Sequence, residues 1–180
     1  MIVATPGISS LELSLFRLVN ELPAAFRIAL TTVMQLGSLS AVPATAGTAL
    51  LKHRPVLAAD LALAGGISWG AAKVMKVLVA RERPGLLFTE VLIHGREQGG
   101  SGFPSGHAAV AAALATVAAP RVPAPARRAT WSAVAAVALA RVYIGAHLPI
   151  DVVGGGALGY TIGNAVMTRP GAVKAERADP

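Results

Sequence analysis

The chain has 180 residues, of which 54% are hydrophobic and only 14% charged, and its formal net charge is +7. Soluble domains carry about 25% charged residues; this balance, with a mean hydropathy of +0.60, excludes an ordinary soluble domain and indicates a membrane protein. The absence of cysteine excludes disulfides and thiolate metal sites, and no set among the four His and nine acidic residues has zinc-ligand spacing.

Net positive charge alone is compatible with nucleic acid, but the basic residues lie between apolar runs, as membrane-flanking loops do. Trp69, Trp131, Tyr143 and Phe103 are too sparse to form a base-stacking platform, so no nucleic-acid partner is expected. Met1 to Asn20 lacks the basic start and cleavage site of a signal peptide. Twelve Arg against four Lys, with abundant Ala, point to a GC-rich genome and hence a bacterial protein.

Ile8 to Leu22 places Ile8, Leu11, Leu15, Leu18, Val19 and Leu22 near a 3.6-residue period, with Glu12, Arg17, Asn20 and other polar residues between them. It is too polar to span and predicts an amphipathic helix in the interface, closed by Pro23. Phe26 to Leu51 is the first expected span, followed by the turn Lys52-His53-Arg54-Pro55. Val56 to about Ala80 is the second, carrying Asp60, Lys73 and Lys76, and Arg81 to Phe103 is a polar, Gly-rich segment. Ser105 to Pro120, Ala129 to Ala146 and Pro149 to Met167 complete the set, with a basic loop at Arg121 to Arg128. The expected fold is an all-α polytopic membrane helix bundle of five transmembrane helices plus the interfacial N-terminal helix. Residues 1–168 form one domain, and 169–180 a polar, disordered cytoplasmic tail.

Lys52 and Arg54, then Arg121, Arg127 and Arg128, then Arg169, Lys174 and Arg177 share one side, which the positive-inside rule makes cytoplasmic. The segment Arg81 to Phe103 and the turn at His147 then face outward.

Gly102-Phe103-Pro104-Ser105-Gly106-His107 precedes an Ala-rich run. Ser105 suits an N-cap, Gly106 permits close approach to the backbone, and the helix N-terminus favours an anion. His107 adds a titratable imidazole in the first turn. Alone, this stretch is equally a capped membrane helix with an interfacial His. Lys76 and Arg83 fall on one face, two turns apart, if the helix continues to Pro84. Lys73 and Arg81 are expected to snorkel at the interface, and Lys76 alone is open to the same reading. Arg141 near the end of a span calls for a cavity or a partner. His147 and Asp151, four apart, put a carboxylate within reach of one ring nitrogen, leaving the other free to attack. Alternatively Asp151 merely complements the helix N-terminus. His53 is expected to be solvated, and His94 has no partner at a useful spacing. Gly155, Gly159 and Gly163 repeat every four residues as a close-packing face.

In the expected topology Lys76, Arg83, Ser105, Gly106, His107, Arg141, His147 and Asp151 converge on one membrane face. Three cations, a helix N-terminus and two His are what phosphoryl transfer requires. Lys76-(six residues)-Arg83-Pro84, Pro104-Ser105-Gly106-His107 and Arg141-(five residues)-His147-(three residues)-Asp151 resemble the three-part signature of the type 2 phosphatidic acid phosphatase superfamily. The resemblance implies His147 as nucleophile forming a phosphohistidine, Asp151 as its orienting group, and His107 as general acid. It implies Lys76, Arg83, Ser105, Gly106 and Arg141 as phosphate ligands, with no cofactor and no metal. Ala140 departs from the pattern, standing where the family commonly has Ser. The amphipathic N-terminus followed by five spans resembles the small bacterial members, undecaprenyl diphosphate phosphatases among them. A polyprenyl diphosphate is therefore the expected substrate, in the plasma membrane with an outward site. Phosphatidic acid, phosphatidylglycerol phosphate and a polyprenyl-phosphoryl sugar phosphate are alternatives, and a non-catalytic phospholipid-binding protein is the alternative of another class.

Overall fold

The computed structural model describes residues 8–169. Most of the expected tail, with Lys174 and Arg177, lies outside the described residues, as does the start of the Met1 to Asn20 stretch. Every regular element among the described residues is helical: α1 (Ser10–Asn20), α2 (Arg27–Val33), α3 (Ala41–Leu51), α4 (Pro55–Val79), α5 (Pro84–Leu87), α6 (Gly106–Ala118), α7 (Ala124–Tyr143) and α8 (Pro149–Thr168). The local signals explain most boundaries. Ser9 caps α1 by accepting from the Glu12 N–H at 3.1 Å, and proline opens α4, α5 and α8, where a missing N–H costs nothing.

The first expected span is not one helix. Residues 24–37 and 41–51 are two helical pieces bent by 68° at a break around Ser38 to Ser40. The Ser38 and Ser40 hydroxyls bond each other at 2.8 Å, and Ser38 Oγ donates to the Gln35 carbonyl, which satisfies polar groups that a straight helix would bond itself. The apolar count of Phe26 to Leu51 could not show this, because hydropathy is blind to a break. Among the described residues, α4 is long and apolar enough to cross a bilayer unaided, and the bent pair passes the same test jointly. The third expected span is the 13-residue α6, roughly 20 Å long at 1.5 Å per residue.

Helix α6 is the hub. Ala108 through Val117 are all buried, against α4 on one side, α7 on another and α8 on a third. Its Ala side chains let three neighbours approach closely, the arrangement favoured where packing and not hydrophobic transfer drives association. The glycine face of α8 meets it as expected. A Cβ on Gly155 would run into the Ser105 carbonyl, one on Gly159 into the Ala109 carbonyl and one on Gly163 into Thr116. At the end bearing Lys52, Arg54 and Arg121, the buried Asp60 of α4 pairs with Arg121 at 2.8 Å and Arg169 at 2.7 Å. That carboxylate ties three chain segments together, and leaving it unpaired would cost about 3–5 kcal/mol.

The α6–α8 contact is testable. Gly159→Val should lower thermal stability by about 1–3 kcal/mol through overpacking. Gly156→Ala, on the same helix with no neighbour within 4 Å, should leave it unchanged. Thermal unfolding in detergent reads both.

Candidate functional site

At the end of the bundle opposite Lys52 and Arg54, a cavity of about 300 Å3 is lined by Lys76, Arg83, Gly106, His107, Arg141 and His147, together with Trp69 and Gln98. Six residues from three separated motifs therefore share one pocket. Ser105 and Asp151 stand immediately behind it, both fully buried. A larger apolar cavity of about 420 Å3 lies between α3, α4, α6 and α7 towards Lys52 and Arg54 and contains none of these residues. The turn Met34–Gly37 stands between the two, with Leu36 lining one and Gly37 the other.

Each motif is positioned by its own element. Ser105 caps α6 as expected, its hydroxyl accepting from the Ala108 N–H at 3.4 Å. The first turn of α6 thus presents Gly106 and His107 to the cavity. Lys76 sits in the last turn of α4, which stops at Val79 because Ala80 adopts a left-handed conformation with φ of 50°. Arg83 is consequently not on a continuation of α4. It lies in extended backbone before α5, and Pro84 opens that short helix instead of ending α4. The two cations converge all the same, because both grip the loop that leads to Ser105. Lys76 Nζ donates to the Ser101 and Gly102 carbonyls at 2.7 and 3.0 Å, and Arg83 Nε to those of Gly99 and Gly100 at 3.1 and 3.0 Å. Arg83 Nη1 also donates to the Ala146 carbonyl at 2.8 Å, beside His147.

Arg141 is 3% exposed, and its Nε has no acceptor among the described residues, while its Nη1 meets Met34 Sδ at 3.6 Å. A buried guanidinium without a carboxylate is costly unless an anion serves it. No carboxylate lines the cavity among the described residues. Ala140 is fully buried and contributes no lining atom. No group of three or more His, Asp or Glu among the described residues could hold a metal ion.

His147 and Asp151 are brought together, but more loosely than their spacing predicts. Nδ1 of His147 lies 3.6 Å from Asp151 Oδ2, beyond hydrogen-bond range, and has no other partner among the described residues. Oδ2 accepts instead from the Leu148 N–H at 2.9 Å, and Oδ1 from Arg81 Nη1 at 2.8 Å. Catalytic hydrogen bonds are often long without substrate, and a shift of about 0.7 Å would close this one. Burial, reinforced by Arg141, Arg83 and Lys76 and opposed by Asp151, holds the His147 imidazole down at about 3, so the ring is neutral at physiological pH.

Arg81 does not snorkel. It bridges Asp151 to Glu12 of α1, the latter at 3.0 and 3.2 Å, and its own carbonyl accepts from the Gly102 N–H at 2.6 Å. Lys73 lies over the Trp69 ring at 3.9 Å. Sequence spacing missed both Arg81 and Glu12, because they are 69 residues apart and α1 reads as a generic amphipathic helix. His94 is structural. Nε2 meets the Asn20 carbonyl at 2.8 Å, and the ring stacks on Tyr143 at 4.2 Å. Asn20 also donates to the Leu92 and Tyr143 carbonyls, so it clamps the polar segment to the end of α7. Gly145, at φ 74°, makes the turn that carries His147 possible, with the Leu92 carbonyl against it.

An all-helical bundle whose cavity gathers two histidines with the three motif cations Lys76, Arg83 and Arg141, and Lys73 as a fourth, has the architecture of a helical lipid phosphatase. Residues 57–174, well over half of the chain, match the family model described as PAP2 superfamily, and the chain belongs to that superfamily, whose members are phosphatases. The fold is similar to that of LpxE from Aquifex aeolicus, with a TM-score of 0.84 at 23% identity, covering 92% of this chain and 99% of that one. It is also similar to a transmembrane PAP2-type phosphatidylglycerolphosphate phosphatase from Bacillus subtilis, with a TM-score of 0.73 at 22% identity, covering 91% and 86%. No curated protein sequence matches the chain significantly.

The depressed His147 pKa has a measurable consequence. The folded protein refuses a proton that the unfolded chain takes up near 6.5, so stability is lost as pH falls from about 6.5 towards 3. His147→Gln should flatten that loss, read as melting temperature between roughly pH 6.5 and 4.5. An unchanged slope would mean that the ring is already protonated in the folded protein.

Proposed function

We propose that the protein is an integral-membrane lipid phosphate phosphatase working through a phosphohistidine on His147. The observation that carries this reading is the single cavity that His107 and His147 share with Lys76, Arg83, Arg141 and Lys73, with no carboxylate among its lining residues. Nδ1 faces Asp151, which leaves Nε2 as the attacking atom. Attack forms the N–P bond and breaks the bond from phosphorus to the lipid oxygen, while His107 donates a proton to that departing oxygen. Water then attacks the phosphohistidine with His107 as base, releasing phosphate and restoring neutral His147. Lys76, Arg83, Arg141 and the Gly106 N–H hold the phosphoryl oxygens, with Ser105 fixing the helix end that presents them. Fixed cations supply the electrostatic stabilisation, so the mechanism asks for no metal.

Five helical rods are taken to cross the bilayer: the bent pair 24–51, α4, α6, α7 and α8. Lys52, Arg54, Arg121, Arg127 and Arg128 gather at one end of the bundle and the catalytic cluster at the other. The positive-inside rule then puts the site on the extracytoplasmic side of a bacterial plasma membrane. An outward site suits a carrier lipid left in the outer leaflet, and a polyprenyl diphosphate is the favoured substrate. A phosphatidylglycerol phosphate substrate is the alternative supported by the fold shared with the Bacillus phosphatidylglycerolphosphate phosphatase.

Phosphate release from a panel of lipid phosphates in the presence of EDTA tests the reading directly. Turnover should survive the chelator, and vanadate should inhibit as a mimic of the trigonal-bipyramidal phosphorus. His147→Ala should abolish turnover on every substrate. His107→Ala should be severe on an alkyl phosphate and milder on an aryl phosphate, whose leaving group needs less help from a proton. Full loss of activity in EDTA with recovery in magnesium, or turnover by His147→Ala, would sink the mechanism. A protein that binds lipid phosphates but releases no phosphate from any of them would be a binding protein.

Sidedness is a separate test in this cysteine-free background. A cysteine at Gly99 should react with an impermeant maleimide in intact cells, and one at Ala124 should not. The reverse pattern would move the site to the cytoplasm.

A further inference from the structure

The interfacial helix α1 reaches the catalytic groups through one side chain. Glu12 Oε1 and Oε2 accept from Arg81 Nη2 at 3.2 and 3.0 Å, and Arg81 Nη1 donates to Asp151 Oδ1 at 2.8 Å. Glu12 Oε1 also accepts from the Ile150 N–H at 3.2 Å, taking one of the unpaired donors in the first turn of α8. The rest of α1 is docked beside this point, with Phe16 buried at 3% exposure against the cluster that contains Leu148 and Val152. The side chains are shielded, at 12% exposure for Glu12, 19% for Arg81 and none for Asp151.

We propose that Glu12 is a positioning residue for phosphoryl transfer, acting electrostatically through Arg81 and Asp151 on the charge that develops at His147. The proposal rests on the phosphohistidine reading above. The argument is one of charge. His147 is neutral before reaction, and its ring becomes cationic when Nε2 bonds phosphorus and Nδ1 keeps its proton. That cation forms in a cavity already lined by Lys76, Arg83 and Arg141. Asp151 is the anion facing it, yet one oxygen of Asp151 is committed to Arg81, whose charge cancels it. Glu12 on the far side of Arg81 returns the net charge of the chain Glu12–Arg81–Asp151 to minus one. With Glu12 neutral, Asp151 and Arg81 form a closed pair, and the imidazolium loses its counter-charge. Arg81 without Glu12 is therefore worse placed to help than Arg81 with it.

Kinetics of the full-length protein in nanodiscs decide the matter, with the lipid phosphate turned over fastest as substrate. Glu12→Gln should lower kcat on the order of tenfold, the effect of one charge acting over several ångströms at an effective dielectric of about 20. KM and the melting temperature should hold, because the shape and the Ile150 contact are kept. Glu12→Asp, which keeps the charge, should stay within about threefold of the parent. Glu21→Gln, exposed just past the end of α1, should have no effect. In an Arg81→Gln background the effect of Glu12→Gln should vanish or reverse, since two carboxylates then stand without the cation between them. Glu12→Gln at parental kcat, Glu12→Asp as slow as Glu12→Gln, or additive losses in the double variant would each overturn the proposal. Turnover by His147→Ala would instead remove the reading beneath it, so the two failures are distinguishable.

Discussion

The close approach of α6 and α8 is the constraint on which the rest depends. Three glycines on α8 let its backbone lie against the carbonyls of Ser105 and Ala109, and at the top of that contact the Ser105 N–H donates to the Asp151 carbonyl at 2.8 Å. This hydrogen bond joins the second motif to the third. A side chain at any of the three glycines would separate the helices and pull the N-terminus of α6 away from the helix that follows His147. These three glycines thus set the site geometry although none of them touches the cavity.

The cations solve a related problem. Lys76 and Arg83 spend their donors on carbonyls of residues 99–102, so the same charges that face the cavity also hold the loop that ends at Ser105. Arg81 adds a third tie through its carbonyl to Gly102. The positive charge at the cavity and the order of the loop are therefore coupled, and a cation removed for its charge will also loosen the backbone beside His107. Asp60 plays a comparable structural part at the opposite end, where Arg121 and Arg169 share one buried carboxylate.

His147 illustrates how burial and function meet. Its ring is almost wholly enclosed, keeps a free Nδ1 and sits 3.6 Å from the carboxylate that would steady its cation. Burial, reinforced by the neighbouring cations, keeps the ring unprotonated in a positive cavity, which is the state the proposed nucleophile would need.

By itself the sequence determined the helical class, the cap at Ser105, the glycine face of α8 and the residues that would share a site. Those features are local or periodic, and composition, capping chemistry and short spacings encode them directly. The tertiary structure alone decided the break between residues 37 and 41, the end of α4 at Ala80, the structural role of His94 and the chain from Glu12 through Arg81 to Asp151. A break needs no change in hydropathy, and a left-handed Ala80 carries no compositional mark. Partners 69 residues apart meet only because α1 folds back across the mouth of the bundle, a placement set by the burial of Phe16 against Leu148 and Val152.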